Sequence, residues 1–177
     1  MRAADDGVNA AQPGAPSRPA IHVVAGVLFD AAGRVLLAQR PPGKHLAGGW
    51  EFPGGKLEAG EERLAGLARE LREELGITVE AAEPLLRLTH AYPERDVDLD
   101  VWLVTRYGGE PRGLDGQALR WCAPRQLGEA GLLPADRPIV ATLIGQTDTA
   151  GDRDGEFRQA RPAIQCTPQG GDGPLEG

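Results

Sequence analysis

GKLEAGEERLAGLARELREELGI, residues 55–77, carries two superposed patterns. From Glu61 to Leu75 the leucines at 64, 67, 71 and 75, together with Ala68, recur at helical spacing and fall on one stripe, and Gly76 follows as a C-terminal stop. The spacing therefore predicts a helix over 61–75 with one buried face. At about 100° per residue, Glu70, Glu73 and Glu74 occupy an arc of about 100° beside that stripe. Glu70 and Glu74 form a like-charged (i, i+4) pair, which costs a few tenths of a kcal/mol on an exposed helix and more where water is excluded. Two readings stand side by side: a solvated helix face whose charge Arg69 and Arg72 partly offset, or a flank built to meet something positive.

Residues upstream of the helix change the balance. Gly55, then Glu61, then Arg69-Glu70-Leu71, Glu73-Glu74 and Gly76-Ile77 stand at fixed distances. This segment resembles the Nudix box, G-x5-E-x7-R-E-U-x-E-E-x-G-U with U a bulky aliphatic, and matches it at every defined position. With residue frequencies near 5–7% each, a chance match has a probability on the order of 10⁻⁹ per starting position. The chemistry is coherent without the name, because hard oxygen ligands on one rigid helix suit Mg²⁺, or Mn²⁺ in its place, which bind carboxylates and substrate phosphates together. The resemblance implies a hydrolase that splits a nucleoside diphosphate linked to another group. It further implies metal ligation by Glu70, Glu73 and Glu74 with the backbone carbonyl of Gly54, Glu61 assisting, and Arg69 orienting the glutamates. Glu70 and Glu61 both remain candidates for the general base.

Outside this segment, IHVVAGVLF (21–29) and RVLLAQR (34–40) read as two strands of a hairpin joined by the turn sequence DAAG. Val97, Leu99, Val101 and Leu103 alternate with Asp98, Asp100 and Trp102, as in a strand with one buried face. ALRWC (118–122) reads as a further strand, and residues 138–143 as a short helix that Asp136 would cap. Strands outnumber helices in a mixed order, so the expected class is α+β: a Nudix-like α/β/α sandwich with helices on a mixed sheet. It forms a single domain over 21–145. Residues 1–20 and 146–177 are rich in Gly, Pro, Gln, Asp and Ala and are expected to be disordered tails.

The likeness extends over roughly 21–145, where the chain resembles the MutT branch, whose members hydrolyse 8-oxo-dGTP to the monophosphate and pyrophosphate and so cleanse the nucleotide pool. It is carried by Arg40 at the end of the second strand, by Phe52 ahead of Pro53-Gly54-Gly55-Lys56, and by a hairpin tip at Tyr92-Pro93-Glu94-Arg95. By that analogy Arg40 and Lys56 face phosphates, while Phe52 and Arg95 border the base. Core packing is the competing role for Phe52, and a surface charge that for Arg40. Asp115, in LDGQ, aligns with an acidic loop residue that assists catalysis, or simply forms a turn before Gly116. His45, in the Gly-rich PPGKHLAGG, is a candidate substrate contact. The sequence departs from the branch in LLPADRPIV (132–140), where Asp136 takes the place of the asparagine that reads the oxidised purine. Ionised aspartate only accepts hydrogen bonds, which suits the N7–H of 8-oxo-guanine or a cytosine amino group; a retained proton would let it donate as well. A CTP-like or other modified pyrimidine nucleotide is therefore the second expected substrate, and a non-catalytic ligand sensor the third possibility, opposed by the intact glutamates.

Composition removes other classes. Ser17, in the leader, is the sole serine, so a Ser-His-Asp hydrolase is close to excluded. Cys122 and Cys166 show no Cys-x-x-Cys spacing for zinc, and the loop 41–49 lacks the G-x-x-x-x-G-K-[ST] phosphate cradle. A net charge of -7 without a basic aromatic stripe argues against stable nucleic-acid binding. No apolar run approaches the ~18–20 residues needed to span a bilayer, and no export signal is evident. A monomeric cytoplasmic enzyme acting on a small nucleotide is expected.

Overall fold

A computed structural model describes residues 20–148. Its strands are β1 (Ala20–Leu28), β2 (Val35–Gln39), β3 (Trp50–Glu51), β4 (Gly54–Lys56), β5 (Thr78–Ala91), β6 (Asp96–Gly108) and β7 (Leu119–Cys122). Helix α1 spans Arg63–Leu75 and α2 spans Arg137–Asp148, the latter preceded by 3-10 turns at Pro124–Glu129 and Pro134–Asp136. One sheet has the order β4-β1-β6-β5 and the other β3-β2-β7. The β1–β6 pair is parallel and every other pair antiparallel, so the sheet is mixed as expected. No helix among the described residues is long and apolar enough to cross a membrane.

Alternation along β1 divides the core between two layers. Val24 and Leu28 pack with Leu67, Leu71 and Leu75 of α1, whereas Ala25 and Val27 join a second cluster with Ile139, Val140 and Leu143 of α2. Helices on opposite faces of the strands make the α/β/α sandwich. This arrangement brings the C-terminal half of α1 beside β4, where the chemistry-bearing residues gather.

Several expectations are corrected. The DAAG turn forms, with the Asp30 N–H donating to the Arg34 carbonyl at 2.9 Å, but β1 and β2 do not make a paired hairpin. They share only the bridge Phe29–Val35, because β1 is committed to β4 on one side and β6 on the other, and β2 to β3 and β7. Helix α1 starts two residues later than Glu61. Glu62 is its N-cap, accepting from the Leu64 and Ala65 N–H groups at 2.9 and 3.2 Å, which leaves Glu61 free to turn back along the helix. Leu64 is 37% exposed, since the buried place in that first turn falls to Gly66, against which Leu57 packs. Gly76 ends the helix in the left-handed region, at φ 69°, as its position suggested.

Asp100, expected on the open face of its strand, is buried at 8% exposure between the Nε atoms of Arg63 (3.0 Å) and Arg87 (2.8 Å). Strand β5 had no clear signature: Pro84 interrupts it and three register shifts against β6 erase period-2 alternation over its 14 residues. The last helix continues beyond 143 through Asp148, so residues 146–148 are helical rather than the start of a tail. The remaining tail expectations, residues 1–19 and 149–177, lie outside the described residues.

The packing predicts that Leu71→Ala, at a fully buried site, costs about 2–5 kcal/mol. Leu64→Ala should change stability by about 0.5 kcal/mol or less. Urea denaturation of the two variants beside wild type measures both.

Candidate active site

A cavity of about 660 Å³ opens between α1, β4, the β5–β6 tip and the loop after β2. That size accommodates a nucleotide-sized ligand. On its α1 side lie Glu70 and Glu74, facing Gly54, Gly55 and Lys56 of β4. Glycine at 55 leaves room for the Glu70 carboxylate where it stands, because a Cβ there would overlap and displace it. At 54 a Cβ would meet the Val24 carbonyl, so the PGG turn can lie flat against β1 only with glycine. The Gly54 N–H donates to Glu74 Oε2 at 3.3 Å.

Arg69 holds the acids in place. Its Nε and Nη2 donate to the two oxygens of Glu61 at 2.8 and 2.9 Å, and its Nη1 to Glu70 Oε1 at 2.9 Å and Glu73 Oε2 at 3.2 Å. Nη2 also donates to the Lys56 carbonyl at 3.0 Å, tying α1 to β4. This bidentate bond, with the Glu58 N–H beside it, pulls the Glu61 carboxyl down to a pKa of about 2. Glu74 is the opposite case. Burial, with Glu70, Glu51 and Asp115 nearby, pushes its pKa up to about 7 against the opposing Gly54 bond.

The three glutamates of the helix flank are therefore not equivalent. Glu70 and Glu74 line the cavity, while the Glu73 side chain is 60% exposed and turned to Arg69. Among the described residues, no three His, Cys, Asp or Glu side chains converge enough to enclose an ion by themselves. A hard divalent cation nevertheless fits the donor set. Glu74 has no cation paired with it among the described residues, Glu70 faces the same space, and both offer carboxylate oxygens beside the Gly54 backbone. Glu61, locked to Arg69, does not line the cavity.

The other walls bring together all six residues expected to contact substrate. Arg40, His45, Phe52, Lys56, Arg95 and Asp136 all line the cavity. Phe52 does so while 4% exposed and packed in the core. Arg40 approaches Glu51 at 3.4 Å, and its buried Nε makes no hydrogen bond. His45 stands edge-on to Tyr92 at 6.0 Å, and His90 packs on the same ring at 4.5 Å. Asp136 ends the 3-10 turn immediately before α2 and is 6% exposed; burial, then Glu51, raises its pKa well above the carboxylate range against the pull of Arg40. Asp115 is outside the main cavity. It lines an adjoining recess with Glu74, Glu51 and Lys44.

Glu51 was not anticipated from sequence. It sits in the cavity wall between Arg40, Asp136 and Glu74, and burial raises its pKa although Arg40 and Lys44 oppose this. Its signal was available: an acid between Trp50 and Phe52 in a short apolar strand requires a cation or a function.

The chain is similar to known proteins. The NUDIX domain family matches residues 24–142. The chain is 34% identical over 123 residues to an 8-oxo-dGTP diphosphatase of Escherichia coli, covering 70% of this chain and 95% of that protein. It is 37% identical over 143 residues to a CTP pyrophosphohydrolase of the same bacterium, covering 81% and 97%. A solved structure of MutT, from work on the Aliivibrio salmonicida and Vibrio cholerae proteins, superposes with a TM-score of 0.63 at 36% identity, covering 72% of this chain and 99% of that one.

The Glu74 environment makes a pH prediction. Its pKa is raised from an ordinary value of 4.5 to about 7, so between these pH values the folded protein keeps a proton that the unfolded chain has released. Stability from this group is full below 4.5 and lost as pH rises through about 7. Glu51 and Asp136 slope the same way. The melting temperature of chelator-treated protein should fall from pH 5 to pH 8, and Glu74→Gln should remove part of that fall.

Proposed function

The chain belongs to the Nudix hydrolase family, and from that premise we propose that it is a Mg²⁺-dependent pyrophosphohydrolase converting 8-oxo-dGTP and water to 8-oxo-dGMP and pyrophosphate. The supporting observation is that Glu70 and Glu74 face Lys56 and the PGG turn within one nucleotide-sized cavity. Glu70 and Glu74, with the Gly54 carbonyl, would hold the cation, which when bound neutralises phosphate charge and lowers the pKa of a water. Glu73 would join them only by leaving Arg69. Manganese would serve in place of magnesium.

The chain's own residues have separable roles. Lys56 and Arg40 present positive charge to the polyphosphate, Arg40 by exchanging its loose contact with Glu51 for a phosphate oxygen, and Arg95 borders the base. Glu70 is the better-placed general base, because it borders the cavity, while Glu61 spends both oxygens on Arg69. Glu61 then assists by fixing Arg69, and Asp115 assists from the recess beside Glu74. Phe52 supplies an apolar wall for the base. His45 and Tyr92 border the cavity mouth.

Asp136 supports a second reading. Burial favours the protonated form of Asp136, in which a carboxyl offers one donor and one acceptor, matching the donor–acceptor pair of the asparagine it replaces. The same pair complements the N7–H and O6 of 8-oxo-guanine or the amino group and N3 of cytosine. A CTP-like substrate is accordingly the alternative, and it agrees with the likeness to the CTP pyrophosphohydrolase.

Pyrophosphate release from a panel of oxidised, methylated and unmodified triphosphates with Mg²⁺ tests the proposal. Wild type should have its highest kcat/KM on 8-oxo-dGTP; a higher value on CTP-type nucleotides selects the second reading, and no release from any substrate rejects both. Glu70→Gln should lower kcat by about 10²–10⁴-fold while the protein stays folded. Asp136→Asn should retain the wild-type substrate preference, and Asp136→Ala should lose it.

A further inference from the structure

The last turn of α1 ends next to a loop from far along the chain. Helix C-termini leave carbonyls without intrahelical donors, and here the loop provides them. Arg112 N–H donates to the Leu75 carbonyl at 3.0 Å, and Leu114 N–H to the Glu74 carbonyl at 3.0 Å. That same Glu74 carbonyl accepts a second bond, from Gln117 Nε2 at 3.0 Å. The other end of the Gln117 amide, Oε1, accepts from the Asp115 N–H at 2.9 Å. One side chain therefore joins the backbone of Glu74 to that of Asp115.

The joined residues share a small space. Glu74 and Asp115 line the recess beside the main cavity together with Gln117, Glu51 and Lys44. Its volume is about 20 Å³, room for about one water. Asp115 itself is exposed and sits in a tight turn in which Gly116 N–H donates to the Gly113 carbonyl at 3.1 Å. An exposed turn of this kind fixes its own backbone but not its distance from the helix. The Arg112 and Leu114 backbone bonds hold the loop against the helix, and the Gln117 amide adds a side-chain bridge that ties the Asp115 backbone itself to the Glu74 carbonyl.

We infer that Gln117 is a positioning residue for the hydrolytic reaction, its amide clamping the loop that carries Asp115 onto the end of α1 so that Asp115 and Glu74 face one water-sized recess. The inference rests on the proposed pyrophosphohydrolase activity and on the part given there to Asp115. A helix cap without influence on the reaction is the competing role.

The test compares wild type, Gln117→Ala, Asp115→Asn and the double variant, with Mg²⁺ and whichever triphosphate wild type turns over best, and adds amide hydrogen exchange on the metal-free proteins. Gln117→Ala should lower kcat about tenfold or more with KM within about twofold, and the double variant should be no slower than the slower single one, since both act on one group. The Asp115 N–H should lose exchange protection while those of Leu67 and Leu71 keep theirs. An unchanged kcat, losses that multiply in the double variant, or an Asp115 amide that stays protected would each overturn the inference. Should Gln117→Ala not fold, Gln117→Asn keeps the amide one methylene too short to span both bonds, and the same outcomes apply. A wild type silent on every triphosphate rejects the proposed function instead, and exchange alone then decides whether the clamp exists.

Discussion

One guanidinium makes the acidic end of α1 possible. Arg69 binds Glu61, Glu70 and Glu73 and also reaches the Lys56 carbonyl, so it both neutralises charge and joins the helix to β4. A single positive charge against so many carboxylates leaves an excess, and geometry concentrates it on Glu74, buried with like charges around it. Such a group either keeps a proton or meets a cation. The proposed chemistry follows from that choice.

The fold supplies the remaining constraint. The Leu67, Leu71 and Leu75 stripe fixes the rotation of α1 against the sheet, and with it the direction in which Glu70 and Glu74 project. The glycines of the PGG turn then let β4 approach until backbone and carboxylates share one space. Neither feature works alone. A stripe without the glycines would bury the acids against Cβ atoms, and the glycines without the stripe would face no acids. The opposite walls come from elements distant in sequence, including the β5–β6 tip and the turn at Asp136, which is how one cavity combines charge for phosphates with an apolar and hydrogen-bonding surface for a base.

The sequence made the helix, its stop at Gly76, strands β6 and β7, and the α+β class legible, because each depends on local periodicity or a local breaker. It also identified residues that the fold collects around the cavity, through a spacing pattern that no local propensity explains. What it did not reveal depended on long-range partners. The two-sheet division of β1 and β2 is decided by β4, β6 and β7, so the local turn was misleading. Asp100 reads as solvent-facing until Arg63 and Arg87 are brought to it. The inequality of the three glutamates was hidden for the same reason: angular position on a helix does not say which carboxylate an arginine will hold outward.

Titration of the metal-free protein with Mn²⁺, followed by the paramagnetic resonance of the free ion, tests the central claim most directly. The account predicts saturable binding near neutral pH that is lost or greatly weakened in both Glu70→Gln and Glu74→Gln and kept in a variant of an exposed acid away from the cavity, such as Glu129→Gln. Binding of equal strength in wild type and both cavity variants would contradict it.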